Sequence, residues 1–127
     1  MKVVVPEVPA IRYPDVVVTC DPRDLKDEQL TRFPTMLVEI LSESTEALDR
    51  RMKFPEYRAI AALREFVLID SRAVHVEIYR RGEHNRWFFQ ECGAGDEVVF
   101  ESIGLSIPIE ALYEDLTLTR RERVVVE

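Results

Sequence analysis

A single carboxylate in the middle of an apolar run constrains this chain more than any other feature. Residues 36–42 read Met-Leu-Val-Glu-Ile-Leu-Ser, and Glu39 stands at the centre. The aliphatic neighbours predict a buried strand of an α/β sheet over residues 35–42. Because an unpaired buried carboxylate costs several kcal/mol, Glu39 must be neutralised, paired or bound to a metal ion.

Two other charged residues are candidates to meet Glu39. Lys53 lies on the helix predicted after the strand, and Asp15 opens an earlier β-branched run, Asp-Val-Val-Val. We expect Asp15 and Glu39 to lie on adjacent strands with converging carboxylates, and Lys53 to project toward Glu39. Taken from the residues alone, such a set is more often a structural ion pair than a metal site, so both interpretations stay open.

Length and charge limit the possible functions. With 127 residues, 46% of them hydrophobic, the chain is expected to form one domain over residues 1–127. A net charge of −7 makes it a poor general DNA binder. Residues 50–86 are nevertheless locally basic, with nine basic and five acidic side chains. That section predicts either a phosphate-facing surface or a solvated helix face followed by a hairpin.

The remaining composition points to a cytoplasmic protein. Cys20 and Cys92 are isolated in the sequence and are expected to be reduced, partly buried thiols. No signal peptide is visible, and no apolar run approaches the length of a membrane span. His75 and His84 are too few and too far apart to suggest a zinc site.

Hydrophobic patterning predicts most of the other elements. Apolar and polar side chains alternate along residues 74–79, and residues 86–91 are expected to pair back with them as an antiparallel hairpin. The aromatic residues of this hairpin, 87–89, are expected in the core rather than as a base-stacking platform. Residues 45–62 have helical spacing that Pro55 deforms. The other predicted elements are strands at 2–5, 15–20, 65–70 and 98–100, a connector at 9–14, a loop at 21–34 with one helical turn around 26–30, and a final helical turn at 108–112.

An ordered run of motifs extends over most of the chain. Pro14-Asp15-Val-Val-Val comes first, then Leu-Val-Glu39-Ile-Leu-Ser, and then Asp-Arg-x-x-Lys53-x-x-x-Tyr57-Arg58. Val76-Glu77-x-Tyr-Arg-Arg closes the series. Together these motifs resemble the Uma2 family (DUF820), which is grouped with the restriction-endonuclease-like PD-(D/E)xK nucleases.

The resemblance implies a fold and a chemistry. The implied fold is an α/β, restriction-endonuclease-like mixed β-sheet with a flanking helix and a C-terminal antiparallel hairpin extension. The implied activity is a Mg²⁺-dependent (or Mn²⁺-dependent) DNA endonuclease, with Asp15, Glu39 and Lys53 catalytic. Asp15, Glu39 and the carbonyl of Ile40 would hold the metal ion. Arg50 and Arg58 would contact DNA phosphates.

The chain also departs from the family pattern. Leu41 stands where orthodox nucleases of this group carry lysine, and Lys53 matches a lysine that replaces it from the following helix. Glu43 stands where the family usually has proline, a change expected to affect only the loop. The domain is expected to lack the family's usual N-terminal stretch, which carries a further acidic residue. A catalytically inactive family member, acting as a structural or interaction module, is therefore the alternative function. A homodimer that completes the core is the expected assembly.

Overall fold

A six-stranded mixed sheet forms the centre of the protein in this computed structural model, which describes residues 2–5, 10–42, 53–114 and 122–125. The strands are β1 (Lys2–Val5), β2 (Ala10–Arg12), β3 (Val16–Thr19), β4 (Leu30–Thr31), β5 (Pro34–Leu41), β6 (Glu65–Asp70), β7 (His75–Arg81), β8 (Trp87–Gly93), β9 (Glu97–Phe100), β10 (Leu105–Pro108) and β11 (Glu122–Val125). The α-helices are α1 (Pro22–Leu25), α2 (Phe54–Arg58) and α3 (Ile109–Glu114), and two 3₁₀ turns span Glu83–Asn85 and Glu101–Ile103.

The strand that carries Glu39 lies inside the large sheet. The strand order is β11-β3-β5-β6-β7-β8, with β5 antiparallel to β3 and parallel to β6. Both faces of β5 are covered, which explains its nearly continuous apolar sequence. The mixed sheet, the few helices and the C-terminal hairpin confirm the predicted restriction-endonuclease-like α/β fold.

Alternation of side chains divides the core into two layers. One face of the sheet packs against β9, β10 and α3 and includes Val38, Val67 and Ile78. The other face packs against β1, α2 and the segment that follows α2, and includes Leu37, Leu41 and Phe66. Glu39 lies on this second face, since it alternates with Leu37 and Leu41 along β5.

The N-terminal third contains more regular structure than its sequence predicts. The connector at 9–14 holds β2, which pairs with β1, and the loop at 21–34 holds β4, which runs parallel to β1. The helical turn is α1 rather than residues 26–30, because Asp21 caps it by accepting a hydrogen bond from the Arg23 N–H at 2.9 Å. The buried Asp24 then holds the end of the loop, accepting from the Arg32 N–H at 2.9 Å.

The predicted helix over residues 45–62 is only partly within the described chain. Residues 45–52 lie outside it. In the described helix, α2, Pro55 lies in the first turn. N–H groups there have no partner within the helix, so the N–H that proline lacks costs no helical hydrogen bond.

The aromatic run of β8 corrects one prediction. Phe88 and Phe89 are 58% and 51% exposed, so they are not core residues, whereas Trp87 is partly buried and meets Phe54 edge-on at 5.4 Å between ring centroids. The physical reason is position. Among the described strands β8 is the last of the sheet, so fewer elements pack over it than over β5 or β6.

Candidate active site

Glu39 is buried beneath α2, with 3% of its surface exposed. Its Oε1 accepts a hydrogen bond from the Tyr57 hydroxyl at 2.9 Å. The ammonium nitrogen of Lys53 lies 3.4 Å from the same oxygen. The structure therefore brings together the two residues that the sequence motif separates by fourteen positions, and it adds a tyrosine.

The start of α2 positions both partners of Glu39. Lys53 immediately precedes the helix, and Tyr57 follows four residues later, so the two side chains lie on one helical face. The Tyr57 ring is fully buried and meets Phe66 edge-on at 5.2 Å. This packing fixes the hydroxyl over Glu39, whereas Lys53 reaches the carboxylate from the rim and keeps 26% of its side chain exposed.

Asp15 reaches the same region from the neighbouring strand. Asp15 is the residue immediately before β3, and the antiparallel register pairs the first residue of that strand, Val16, with Val38 of β5. The Asp15 Oδ2 accepts a hydrogen bond from the Ile40 N–H at 2.8 Å. The Asp15 side chain thus contacts the backbone of β5 at the residue that follows Glu39.

These residues present oxygen donors that suit a hard cation. The N–H and C=O of one residue in an extended strand point to the same neighbouring strand. Because the Ile40 N–H points to Asp15, the Ile40 carbonyl also faces the side of β3. Two carboxylates and a backbone carbonyl form the type of ligand set that Mg²⁺ and Mn²⁺ prefer. The donor chemistry of Asp15, Glu39 and Ile40 therefore fits such an ion.

Of the two arginines predicted to contact phosphate, the structure describes one. Arg50 lies outside the described residues. Arg58 is exposed at the end of α2, with its guanidinium 5.6 Å from the centroid of the Phe54 ring. Its carbonyl accepts a hydrogen bond from the Arg81 guanidinium at 2.9 Å, which ties α2 to β7.

Tyr57 is a site residue that the motif contains without an assigned role. In the structure its hydroxyl donates a hydrogen bond to the central carboxylate, that of Glu39. The four-residue spacing between Lys53 and Tyr57 is the signal that predicts a shared target.

A second cluster lies further along the same face. His75 and Glu77 on β7 and Glu91 on β8 place candidate metal-ligand atoms within 4.8 Å of one another. The two histidines, His75 and His84, are too far apart in the sequence to indicate this cluster. The signal is the hairpin register, which pairs Glu77 with Glu91.

The backbone beside this cluster is anchored by Tyr113 from α3. The Tyr113 hydroxyl accepts a hydrogen bond from the His75 N–H at 3.0 Å and lies 2.6 Å from the Asp70 carbonyl. Burial raises the pKa of Tyr113, which keeps the phenol protonated at neutral pH. The start of β7, and with it His75, is therefore held firmly against α3.

Comparison with known proteins gives the context for this site. A sequence model of the family Uma2, described as "Putative restriction endonuclease", matches residues 1–110. The uncharacterized protein slr1290 of Synechocystis sp. is 40% identical over 103 residues, which cover 81% of this chain and 54% of that relative. The uncharacterized protein sll1609 of the same organism is 31% identical over 103 residues, covering 79% of this chain and 58% of that relative.

The family match extends over the strands and the helix that form the site. The chain spans about half the length of the curated relatives it matches. None of the helices among the described residues has both the length and the hydrophobicity that crossing a membrane requires. On the extent of the family match and of the identity to these relatives, the chain belongs to the Uma2 family.

Proposed function

We propose that this protein is a Mg²⁺-dependent (or Mn²⁺-dependent) endonuclease that hydrolyses phosphodiester bonds of DNA. The observation that carries the proposal is the buried Glu39 carboxylate, which Lys53 contacts at 3.4 Å, while Asp15 accepts a hydrogen bond from the next residue, Ile40, at 2.8 Å. The family description, a restriction endonuclease, supports a nuclease. The two curated relatives are uncharacterized, so the choice of DNA and metal ion rests on the site itself.

The residues divide the chemistry between them. Asp15, Glu39 and the Ile40 carbonyl would hold the ion, which would supply positive charge at the phosphate and lower the pKa of a bound water. The Lys53 ammonium is a compact charge with three donors, suited to orienting the attacking water or stabilising negative charge on the phosphate. Tyr57 acts as a positioning residue, because its hydroxyl fixes the orientation of Glu39.

DNA reaches the site over a locally basic surface in this proposal. Arg58 is exposed on the same helix that delivers Tyr57, and Arg50 belongs to the same basic section of the sequence. Because the whole chain carries a charge of −7, phosphate contacts must come from this limited region. Binding is therefore expected to weaken steeply as salt concentration rises.

A plasmid cleavage assay tests the proposal. Wild type should cleave DNA with Mg²⁺ or Mn²⁺, and Glu39→Gln, Asp15→Asn and Lys53→Met should each abolish cleavage while the far-UV circular dichroism stays unchanged. Lys26→Met is a matched control, because Lys26 is an exposed lysine outside the site. The nuclease proposal is refuted if wild type cleaves none of supercoiled, linear and single-stranded DNA with either ion.

A second candidate function, an interaction module without catalysis, is favoured by the surface of β8. Phe88 and Phe89 expose more than half of their surfaces on the last described strand of the sheet. We propose a homodimer that pairs this region across a two-fold axis, since exposed apolar patches commonly mark interfaces. Light scattering at micromolar concentration should give twice the monomer mass, and a stable monomer would contradict it.

A cytoplasmic location is also proposed, supported by the two free thiols, Cys20 and Cys92.

A further inference from the structure

The cluster of His75, Glu77 and Glu91 joins two strands on the face that also carries Glu39. His75 and Glu77 are two residues apart on β7 and so share a face, and Glu91 lies directly opposite Glu77 on β8. The distance from His75 Nε2 to Glu91 Oε1 is 3.9 Å. We propose that these three residues form a second metal site that binds a divalent transition-metal ion of the Zn²⁺ type.

The spacing of the ligand atoms is close to what such an ion requires. Zn²⁺ bonds of about 2.0–2.2 Å at tetrahedral angles separate neighbouring ligand atoms by about 3.3–3.6 Å. The three candidate atoms already lie within 4.8 Å of one another, so a side-chain movement of about 1 Å brings them to bonding positions. Glu91 can make this movement, because 61% of its side chain is exposed.

Burial and charge provide a second reason for a cation. Glu77 is 4% exposed, and its cross-strand neighbour Glu91 carries the same charge. Like charges directly opposite each other destabilise a strand pair. A bound cation would offset this repulsion. The alternative is a plain ion pair between His75 and Glu91, with no metal.

The donor types distinguish this site from the one proposed for catalysis. An imidazole favours Zn²⁺, Co²⁺ or Ni²⁺, whereas Mg²⁺ prefers oxygen ligands such as those of Asp15, Glu39 and Ile40. The strand registers place Leu68 between Glu39 and Glu77, two strand spacings apart. Two spacings correspond to about 10 Å, too far for the pair of ions about 4 Å apart in two-metal nucleases. The second site is therefore separate and would fasten β7 to β8.

Co²⁺ absorption and Zn²⁺ calorimetry on the metal-free full chain test the proposal. At this site we expect one Co²⁺ ion per chain, displaced by Zn²⁺ but not by millimolar Mg²⁺. His75→Asn and Glu91→Gln should each weaken binding by at least about 100-fold, since even partners outside the ligand shell are worth 10–100-fold. His84→Asn is the matched control: His84 is exposed in the hairpin turn at φ 58°, a conformation that asparagine tolerates. Its affinity should equal that of wild type.

The titrations are repeated in Glu39→Gln and Cys20→Ser backgrounds to separate other binding sites. Metal binding that is retained in both backgrounds supports the second site. Because binding in Glu39→Gln is measured without any cleavage assay, this result is independent of the nuclease proposal. The proposal is overturned if wild type binds neither Co²⁺ nor Zn²⁺, which leaves the plain ion pair. It is equally overturned if His75→Asn binds as wild type does, or if binding disappears in Cys20→Ser.

Discussion

Removal of the Lys53 charge is the sharpest test of how Glu39 is stabilised. The Lys53 ammonium is 3.4 Å from Glu39, and at an effective dielectric constant of 20 two unit charges at that distance attract by about 5 kcal/mol. Deleting one partner of a buried pair typically costs about 3–5 kcal/mol. In the Lys53→Met variant the Tyr57 hydroxyl still donates to Glu39. Because the Lys53 side chain is 26% exposed, water partly replaces the lost ammonium. We therefore expect Lys53→Met to lower the free energy of unfolding by about 2–3 kcal/mol.

Urea unfolding of a double-mutant cycle measures this interaction directly. Wild type, Lys53→Met, Glu39→Gln and the double variant are compared at pH 7 with the slope of each transition fitted. In the Glu39→Gln background the negative charge is gone, so Lys53→Met should cost less than about 1 kcal/mol. The coupling free energy should then be about 2 kcal/mol.

Two results would refute this reasoning. A coupling below about 0.5 kcal/mol would mean that Lys53 does not stabilise Glu39 in solution. A Lys26→Met control that destabilises as much as Lys53→Met would mean that the loss is not specific to the site. Plasmid cleavage by the same variants separates the two functions. The nuclease proposal requires lost activity, whereas an inactive module has only the stability change.

Two further predictions concern groups whose pKa is shifted by the fold. The Arg72 N–H lowers the pKa of Asp70, so the stability that Asp70 contributes is present above its unfolded pKa of about 3.9 and is lost as pH falls through the lower folded value. In urea unfolding, Asp70→Asn should lower the free energy of unfolding most at neutral pH. An equal loss of unfolding free energy at about pH 2.5 and at pH 7 would contradict this. Burial raises the pKa of the Cys92 thiol, whereas Cys20 is exposed. Labelling with a thiol reagent at pH 7.5 should therefore modify Cys20 first and Cys92 only in urea, and equal rates in native protein would count against the buried position.

The central strands could be predicted because burial on both faces leaves a strong local pattern. β5 and β6 are almost continuously apolar, and the one charged residue within β5 stands out against that background. The expectation that Asp15 meets Glu39 came from the same reasoning, since two acids in apolar strands are costly unless they meet a common partner, and it stays a prediction. The partner of Glu39 could be predicted because the cost of burying a carboxylate follows from its neighbours in the sequence, and Lys53 lies 3.4 Å from it.

The parts that sequence could not predict depend on long-range pairing. β4 has only two residues in a polar segment, and it becomes a strand because β1 and the hydrogen bonds of Asp24 hold it. The aromatic residues of β8 predict a strand correctly, but their exposure depends on which elements pack over the sheet. The His75 cluster requires the β7–β8 register, which alternation alone leaves undetermined.

A comparison within the molecule separates a structural carboxylate from the proposed catalytic one. Glu65 is also fully buried, and it is held by the Arg80 guanidinium at 3.0 Å and by the Ser102 N–H at 2.8 Å, donors that neutralise and fix it. Glu39 instead is contacted by the partly exposed Lys53 ammonium at 3.4 Å and by the Tyr57 hydroxyl at 2.9 Å, and the residue after it, Ile40, donates to Asp15. Replacing a buried ion pair by apolar residues is often neutral or stabilising, so the fold alone does not require this arrangement. Under the proposed function, Asp15 and Glu39 together with one lysine would serve to bind a cation, a role that Glu65 with its full set of donors does not offer.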